Sequence, residues 1–177
     1  MNQTTTIARP GLAPLVTGIR ALAGLGTPPA DTARAVAGHL RANLPGPDIL
    51  SEEERLGSPD GYVVHVLHTE ESFSIAAVVW RPGQETAIHD HVAWCVFGVL
   101  SGIEYETLYR LAPDGTHLTE IGRVANRPGE VSGFAPPGDI HSVRNTSGET
   151  GVSLHVYGAD LARLGSSVRR AYTLPVR

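Results

Sequence analysis

The sequence predicts a mainly β protein, an antiparallel β-barrel or jelly roll with N-terminal helices packed on one side. Three observations lead to this fold class. Short segments rich in Val, Ile and aromatic residues recur between Tyr62 and Tyr157, and clusters of Pro, Gly and Asp separate them. Clear helical periodicity is confined to the segment before them. The 20 Gly and 13 Pro favour many short strands over a helical bundle.

Helices are predicted before the first strand. Leucine and isoleucine recur at helical spacing over residues 15–25. A second helix is predicted from an N-cap at Asp31 to a stop at Pro45-Gly46-Pro47. Ser51 and Glu54 have the spacing of a capping box, which predicts a short third helix. We expect these helices to cover one side of a sheet.

At least eight short strands are predicted, with no long helix between them, which indicates antiparallel pairing. One contains the histidine pair described below, and the others are Tyr62–His68, Phe73–Arg81, Cys95–Leu100, Tyr105–Leu111, Leu118–Val124, Glu130–Ala135 and Gly151–Tyr157. With 177 residues, the chain is predicted to form a single domain over 1–177. Residues 1–60 are its helical segment, and residues 61–177 are the barrel with a C-terminal tail.

Composition excludes several classes of protein. Hydrophobic residues make up 41% and charged residues 18%, which is typical of a globular chain. All 14 basic residues are Arg, the net charge is −4 and no dense basic run occurs, so we expect no nucleic-acid partner. No apolar run approaches the roughly 18 residues of a membrane span. A single Cys and the absence of a signal-peptide pattern in residues 1–14 predict a cytoplasmic protein.

The histidine pair His89-Asp90-His91 is the first feature that indicates chemistry. On a strand, side chains alternate between the two faces, so His89 and His91 share one face and Asp90 lies on the other. Two imidazoles on one face can bind the same metal ion. The spacing around the pair resembles the first motif of the cupin family, carried here by Gly83, the two histidines, Cys95 and Gly102.

A second stretch resembles the other cupin motif. It consists of Pro136-Pro137-Gly138, His141 and Asn145, and its leading glycine, Gly129, is displaced by one position. Two motifs in the expected order make the resemblance specific. It implies a cupin barrel in which His141 joins the histidine pair to hold a metal ion.

The predicted ligand set has chemical consequences. Three neutral imidazoles leave a divalent metal ion with its full charge and with open coordination positions. Cys95 stands where the cupin family usually has a glutamate ligand. The open site should therefore attract an anion such as a thiolate, whose pKa a metal ion lowers. Iron(II) combines thiolate and dioxygen binding, whereas histidine ligands alone also suit zinc, nickel or copper.

The sequence further resembles a narrower group, the cysteine dioxygenase family. The matching stretches are Trp80-Arg81-Pro82-Gly83, Ile88-His89-Asp90-His91, Gly98-Val99-Leu100-Ser101-Gly102 and Ser153-Leu154-His155-Val156-Tyr157. Members are iron(II) cupins that add both atoms of dioxygen to a small thiol and give a sulfinate. The resemblance implies that His89, His91 and His141 hold Fe(II) and that the substrate is a small thiol such as L-cysteine.

Ser153, His155 and Tyr157 match the Ser-His-Tyr relay of that family. Strand alternation independently places all three on one face. The resemblance implies that His155 and Ser153 orient the Tyr157 hydroxyl toward the metal site. Cys95 matches the cysteine that, in animal members, forms a thioether to the relay tyrosine. A Cys95–Tyr157 thioether is therefore a prediction for this chain, alongside the alternative of a small buried thiol.

The substrate-binding residues are less well defined. Tyr62 matches the strand tyrosine after which animal cysteine dioxygenases have an arginine for the substrate carboxylate, but Val64 stands at that position. Arg169 and Arg170 resemble the C-terminal region from which bacterial 3-mercaptopropionate dioxygenases take this arginine, and Arg163 is a further candidate. L-Cysteine and a mercapto acid therefore remain alternative substrates.

Two other kinds of cupin are alternatives to a thiol dioxygenase. One is a metal-dependent isomerase or decarboxylase, although such enzymes usually keep the acidic ligand that Cys95 replaces. The other is a non-catalytic cupin that binds a metal or a small molecule. The predicted partners are a small thiol and O2, and the sequence predicts no oligomeric state.

Overall fold

The computed structural model describes residues 8–177. Residues 1–7, the first half of the segment used in the signal-peptide prediction, lie outside the described residues. Within residues 8–177, three helices precede the strands and a fourth lies between the last two strands: α1 (Leu12–Ala23), α2 (Pro29–Ala42), α3 (Glu52–Arg55) and α4 (Leu161–Leu164), with a 3₁₀ turn at Pro47–Ile49. Within the described part of the chain, no helix has both the length and the apolar character needed to cross a membrane.

In the part of the chain that the structure describes, ten strands form two five-stranded sheets, and these strands pair with one another in antiparallel fashion. In chain order they are β1 (Val63–Glu70), β2 (Phe73–Trp80), β3 (Ile88–His91), β4 (Cys95–Ser101), β5 (Glu104–Leu111), β6 (Leu118–Asn126), β7 (Val131–Phe134), β8 (His141–Asn145), β9 (Gly151–Tyr157) and β10 (Val168–Tyr172). One sheet has the order β1-β2-β9-β4-β7, and the other has the order β10-β3-β8-β5-β6. The predicted mainly β, cupin-type barrel is confirmed.

The first sheet is covered on both faces. One face of β2 and β9, including Ile75, Val79 and Leu154, packs in a single apolar cluster with residues of α1 and α2. The other face turns toward the barrel interior. This double burial explains why every residue of β2 and β9 is buried and why β2 is a nearly continuous apolar run. In β9, apolar residues alternate with polar ones. The predicted cover of N-terminal helices on one side is confirmed.

Helix starts differ from the prediction at one place. Asp31 is not the N-cap of α2: the helix begins with Pro29 at its first position, and Asp31 lies in the first turn, where it accepts a hydrogen bond from Arg34. The capping box of Ser51 and Glu54 is present, with both reciprocal hydrogen bonds. The Glu54 carboxylate also accepts two hydrogen bonds from Arg9, at 2.6 and 2.7 Å.

Beyond the last predicted strand, the C-terminal segment contains a strand that the sequence analysis missed. β10 pairs with β3, the strand of the histidine pair. Its residues are exposed except for Tyr172, so the segment lacks the alternating apolar pattern by which strands are recognised. Directly after β9, Gly158 allows close packing, because an added Cβ would lie 2.1 Å from the indole nitrogen of Trp94.

Strand pairing positions the candidate site. In the second sheet, His89 of β3 lies opposite His141 of β8. In the first sheet, β9 runs between β2 and β4, and Tyr157 lies opposite Cys95. The two sheets face each other across the barrel interior.

Candidate metal centre and active site

Three histidines converge inside the barrel. His89, His91 and His141 are all buried, and each offers one ring nitrogen within 4.8 Å of the others. Their ring centroids lie 4.7 to 5.1 Å apart. The alternation of β3 and the register between β3 and β8 thus bring together the three residues that the two motifs predicted.

Each of these imidazoles is oriented through its Nδ1 atom. His89 Nδ1 is 2.9 Å from the Ala87 carbonyl oxygen. His91 Nδ1 is 3.2 Å from the Asp139 carboxylate, and His141 Nδ1 is 2.6 Å from that of Glu106. Acceptors at Nδ1 favour the tautomer whose Nε2 carries a lone pair, which is the arrangement of metal-binding histidines.

The donor set fits a divalent metal ion. The Nε2 atom of His141 is buried and has no hydrogen-bond partner among the described residues, which is unfavourable unless another group binds it. Burial and the neighbouring His141 lower the pKa of His89 to about 4, and burial lowers the pKa of His91. Both rings are therefore neutral near pH 7, as ligand binding requires.

Glu106 and Asp139 are functional candidates that the sequence analysis did not assign to the metal site. Both carboxylates are buried, and each orients one histidine. Asp139 also accepts a hydrogen bond from the backbone N–H of His91, at 2.9 Å. The signal in the sequence was weak: Glu104 and Glu106 alternate along a strand, so two acidic side chains share one face of β5 and turn inward.

Asp90 lies on the opposite face of β3 from the two histidines, as alternation predicts. It is 1% exposed and forms an ion pair with Arg169. The Tyr172 hydroxyl donates a hydrogen bond to it at 2.8 Å. Burial opposes ionisation of Asp90, but the donors on Arg169 and Tyr172 outweigh it and hold its pKa below the usual value. This cluster fastens β10 to the strand that carries the histidine pair.

A cavity of about 290 Å³ opens beside the three histidines and is lined partly by His89 and Tyr157. Apolar side chains form much of its wall, and hydroxyl groups of Thr86, Ser166 and Ser167 complete it. The sequence analysis did not single out these three residues, because Ser and Thr are common in turns. No arginine is among the described residues that line the cavity.

The predicted substrate-binding residues have different positions. Tyr62 lines the cavity and packs on Trp80, with ring centroids 4.7 Å apart. Arg169 does not line the cavity, because its guanidinium is paired with Asp90. Arg170 is exposed and lies over the Tyr172 ring, 5.3 Å from the centroid. The structure therefore brings Tyr62 to the cavity but not the two arginines.

Ser153, His155 and Tyr157 form a continuous hydrogen-bonded chain on the inner face of β9, here called the relay. His155 Nε2 is 2.8 Å from the Ser153 hydroxyl, and His155 Nδ1 is 3.2 Å from the Tyr157 hydroxyl. Burial lowers the pKa of His155 to about 3, so the ring is neutral. Burial and the nearby Cys95 raise the pKa of Tyr157, so the phenol stays protonated.

Cys95 is buried within this region. It lies opposite Tyr157 in the β4–β9 pairing, and its Sγ atom is 4.0 Å from His155 Nδ1. Cys95 and Tyr157 belong to the same apolar cluster. Burial raises the pKa of the Cys95 thiol, so the thiol is protonated near neutral pH and is a poor metal ligand in that form.

These features define a class of protein: a cupin with a three-histidine cluster that fits a metal site. The chain belongs to the family described as cysteine dioxygenase type I, which it matches over residues 59–166. That range contains the three histidines, their carboxylate partners and the relay.

Three of the solved structures that resemble this chain are the following. An oxalate oxidase in complex with glycolate is 19% identical, with 58% of this chain and 53% of that chain covered and a TM-score of 0.46. A cupin superfamily protein from Desulfitobacterium hafniense is 12% identical, with 63% and 85% covered and a TM-score of 0.47. A protein with a double-stranded β-helix domain from Klebsiella pneumoniae is 20% identical, with 63% and 89% covered and a TM-score of 0.47. The chain spans about half the length of the oxalate oxidase.

Proposed function

We propose that this protein is an iron(II)-dependent thiol dioxygenase that oxidises a small thiol such as L-cysteine to its sulfinate. The observation that carries the proposal is the convergence of three buried imidazoles beside a cavity that Tyr157 also lines. Membership of the cysteine dioxygenase type I family supports this reaction over the isomerase, decarboxylase and binding-protein alternatives.

His89, His91 and His141 would hold the metal ion through their Nε2 atoms. Bound there, iron(II) would supply the redox chemistry that joins both atoms of dioxygen to a thiol sulfur. The chain contributes the ligand geometry: the carboxylates of Glu106 and Asp139 fix two of the three rings. Both carboxylates also lie inside the barrel, where their charge partly balances that of a bound cation.

The relay positions one hydroxyl at the cavity wall. His155 holds the Tyr157 phenol through Nδ1, and Ser153 holds the other ring nitrogen. Stacking on Phe97, with ring centroids 5.5 Å apart, restrains the His155 ring further. We propose that the Tyr157 hydroxyl hydrogen-bonds the substrate or the oxygen that reacts with it. The Cys95–Tyr157 thioether stays a prediction, supported by the pairing of these residues across β4 and β9.

The substrate is proposed to be a compact thiol, because the cavity measures about 290 Å³. Its hydroxyl groups and Tyr62 can hydrogen-bond a polar substrate end. L-Cysteine and 3-mercaptopropionate both remain candidates. Neither Arg169 nor Arg170 faces the cavity, so a guanidinium clamp on the carboxylate is not part of the proposal.

A panel of thiols tests the proposed function. The protein is loaded with iron(II) without oxygen and then mixed with cysteine, 3-mercaptopropionate, cysteamine or mercaptosuccinate in oxygenated buffer. We expect at least one thiol to consume oxygen and yield an equal amount of sulfinate, and the His141→Ala variant to yield none. Absence of sulfinate from all four thiols with iron-loaded protein would contradict the proposal.

A further inference from the structure

Glu104 is a buried carboxyl group that the proposed mechanism does not use. It is 0% exposed, and neither of its carboxylate oxygens has a hydrogen-bond partner among the described residues. An unpartnered buried carboxylate is costly, which favours the protonated form. Burial raises the pKa of Glu104 to about 7, and the nearby Glu106 charge adds to the rise.

The surroundings of Glu104 connect it to the relay. Ser153 and Trp80, which belong to the opposite sheet, lie close enough for their hydrogen-bond donors to lower the pKa of Glu104. The Trp80 indole N–H also donates to the Ser153 hydroxyl at 3.2 Å. Ser153 is hydrogen-bonded to His155 and is also one of the donors that act on the pKa of Glu104, so it connects these two residues.

The neighbouring elements bring few other charges to Glu104. On its own strand, Glu106 faces the same interior, and its carboxylate orients His141. The residues opposite Glu104 in β6 and β8 are the neutral amides Asn126 and Asn145. From β4 and β9, the groups that feel the charge of Glu104 are the Cys95 thiol and the Tyr157 phenol, both protonated.

Counting donors and acceptors allows two arrangements of the hydrogen bonds that join Glu104, Ser153, His155 and Tyr157. A hydroxyl donates one hydrogen bond and accepts two, and a neutral imidazole donates through one nitrogen and accepts through the other. Neither Glu104 oxygen is hydrogen-bonded to Ser153 in the structure, so both arrangements require the carboxyl group to turn toward that hydroxyl. With Glu104 protonated, it would donate to Ser153, Ser153 would donate to His155 Nε2, and His155 Nδ1–H would donate to the tyrosine oxygen. The Tyr157 proton then points into the cavity.

When Glu104 is ionised, each hydrogen bond along the path from Glu104 through Ser153 and His155 to Tyr157 would reverse. Ser153 donates to the carboxylate, His155 Nε2–H donates to Ser153, and the Tyr157 hydroxyl donates to Nδ1. The Trp80 N–H is accepted by Ser153 in both arrangements, and Ser153 is fully satisfied in both. The two arrangements differ by one proton, which leaves through the Tyr157 hydroxyl and is replaced from Glu104 without any change of oxidation state.

We propose that Glu104 is the proton store of the relay: its protonation state decides whether Tyr157 donates a hydrogen bond into the cavity or toward His155. This inference rests on the proposed function for its catalytic meaning, since the stored proton would serve the reacting oxygen or substrate. Glu104 is a positioning residue, because it acts on the cavity only through Ser153 and His155.

The tautomer of His155 is the direct readout. The full chain, labelled with ¹⁵N-histidine, is studied by NMR between pH 5 and pH 9, with and without one equivalent of zinc(II). We expect His155 to carry its proton on Nδ1 at low pH and on Nε2 at high pH, with a midpoint near the Glu104 pKa of about 7. In the Glu104→Gln variant, a single tautomer should persist across this range. The control Glu120→Gln, an exposed glutamate of β6, should retain the switch.

A second measurement needs no variant and covers the case in which Glu104→Gln does not fold. With ¹³C-labelled glutamate, one carboxyl resonance of the wild-type chain should titrate near pH 7, apart from the exposed glutamates. A single His155 tautomer in the wild type, or an unchanged switch in folded Glu104→Gln, overturns the proposal. A chain that switches tautomer but oxidises no thiol keeps this inference and refutes the proposed function instead.

Discussion

Removing the carboxylate that holds His141 should weaken metal binding by a predictable amount. The Glu106–His141 bond is 2.6 Å long, and the two side chains are 5% and 6% exposed, so water cannot replace it. A hydrogen bond to a charged group contributes about 1.5–3 kcal/mol, and a neutral one contributes about 0.5–1.5 kcal/mol. Glu106→Gln should therefore weaken metal binding by about 1–1.5 kcal/mol, or roughly tenfold. Glu106→Leu removes the acceptor altogether and should weaken it by about 100-fold.

Competition with a chelator measures the affinity for zinc(II), which serves as the probe metal ion. The proteins compared are the wild type, Glu106→Gln, Glu106→Leu and the control Glu120→Gln. Thermal unfolding of each metal-free variant separates loss of affinity from loss of folding. We expect affinity to fall in the order wild type, Gln, Leu, while the control matches wild type. Equal affinities for all four folded proteins would refute the role of Glu106 in orienting a metal ligand.

Three further predictions concern stability and the substrate. The Arg9 hydrogen bonds lower the pKa of Glu54 from 4.5 to about 2, so this pair stabilises the fold above pH 4.5 and its contribution is lost as the pH falls toward 2. Allowing for solvent screening, Glu54→Gln should reduce the free energy of unfolding by about 1 kcal/mol at pH 7 and should flatten its pH dependence below pH 4.5. Urea titrations at several pH values measure this, and a pH dependence equal to that of the wild type would contradict the prediction. Arg169→Gln should lower the free energy of unfolding by about 1–2 kcal/mol and leave the KM for the thiol unchanged, and Arg170→Gln serves as the control. If Arg169 instead clamped the substrate carboxylate, the KM would rise about tenfold or more. Gly158→Ala should destabilise the protein by about 1–3 kcal/mol through overpacking on the neighbouring indole, while Gly148→Ala, which has open space around it, should not; equal midpoints in urea would count against this packing argument.

Strand alternation was sufficient to predict much of the site. The period of two placed His89 and His91 on one face and Asp90 on the other, and it placed the relay residues together on β9. These predictions hold because a strand fixes side-chain direction locally. The two cupin motifs added His141, which pairs with His89 across strands that lie about fifty residues apart in the chain.

The residues that sequence reasoning missed depend on contacts between distant segments. An arginine near the C-terminus is compatible with a substrate clamp or with an ion pair, and only the pairing of β10 with β3 shows that Arg169 binds Asp90. In the same way, Glu104 on a β-strand reads as an ordinary polar residue. Its burial against the relay follows from how the two sheets face each other, which no local pattern encodes.

The central claim is that His89, His91 and His141 together hold one metal ion. Equilibrium dialysis against iron(II) without oxygen, followed by metal analysis, tests it most directly. We predict about one iron per wild-type chain and per chain of the control His117→Ala, and none above background in the alanine variant of each of the three histidines. Full iron content in any one of these three variants, with its fold intact, would contradict the claim.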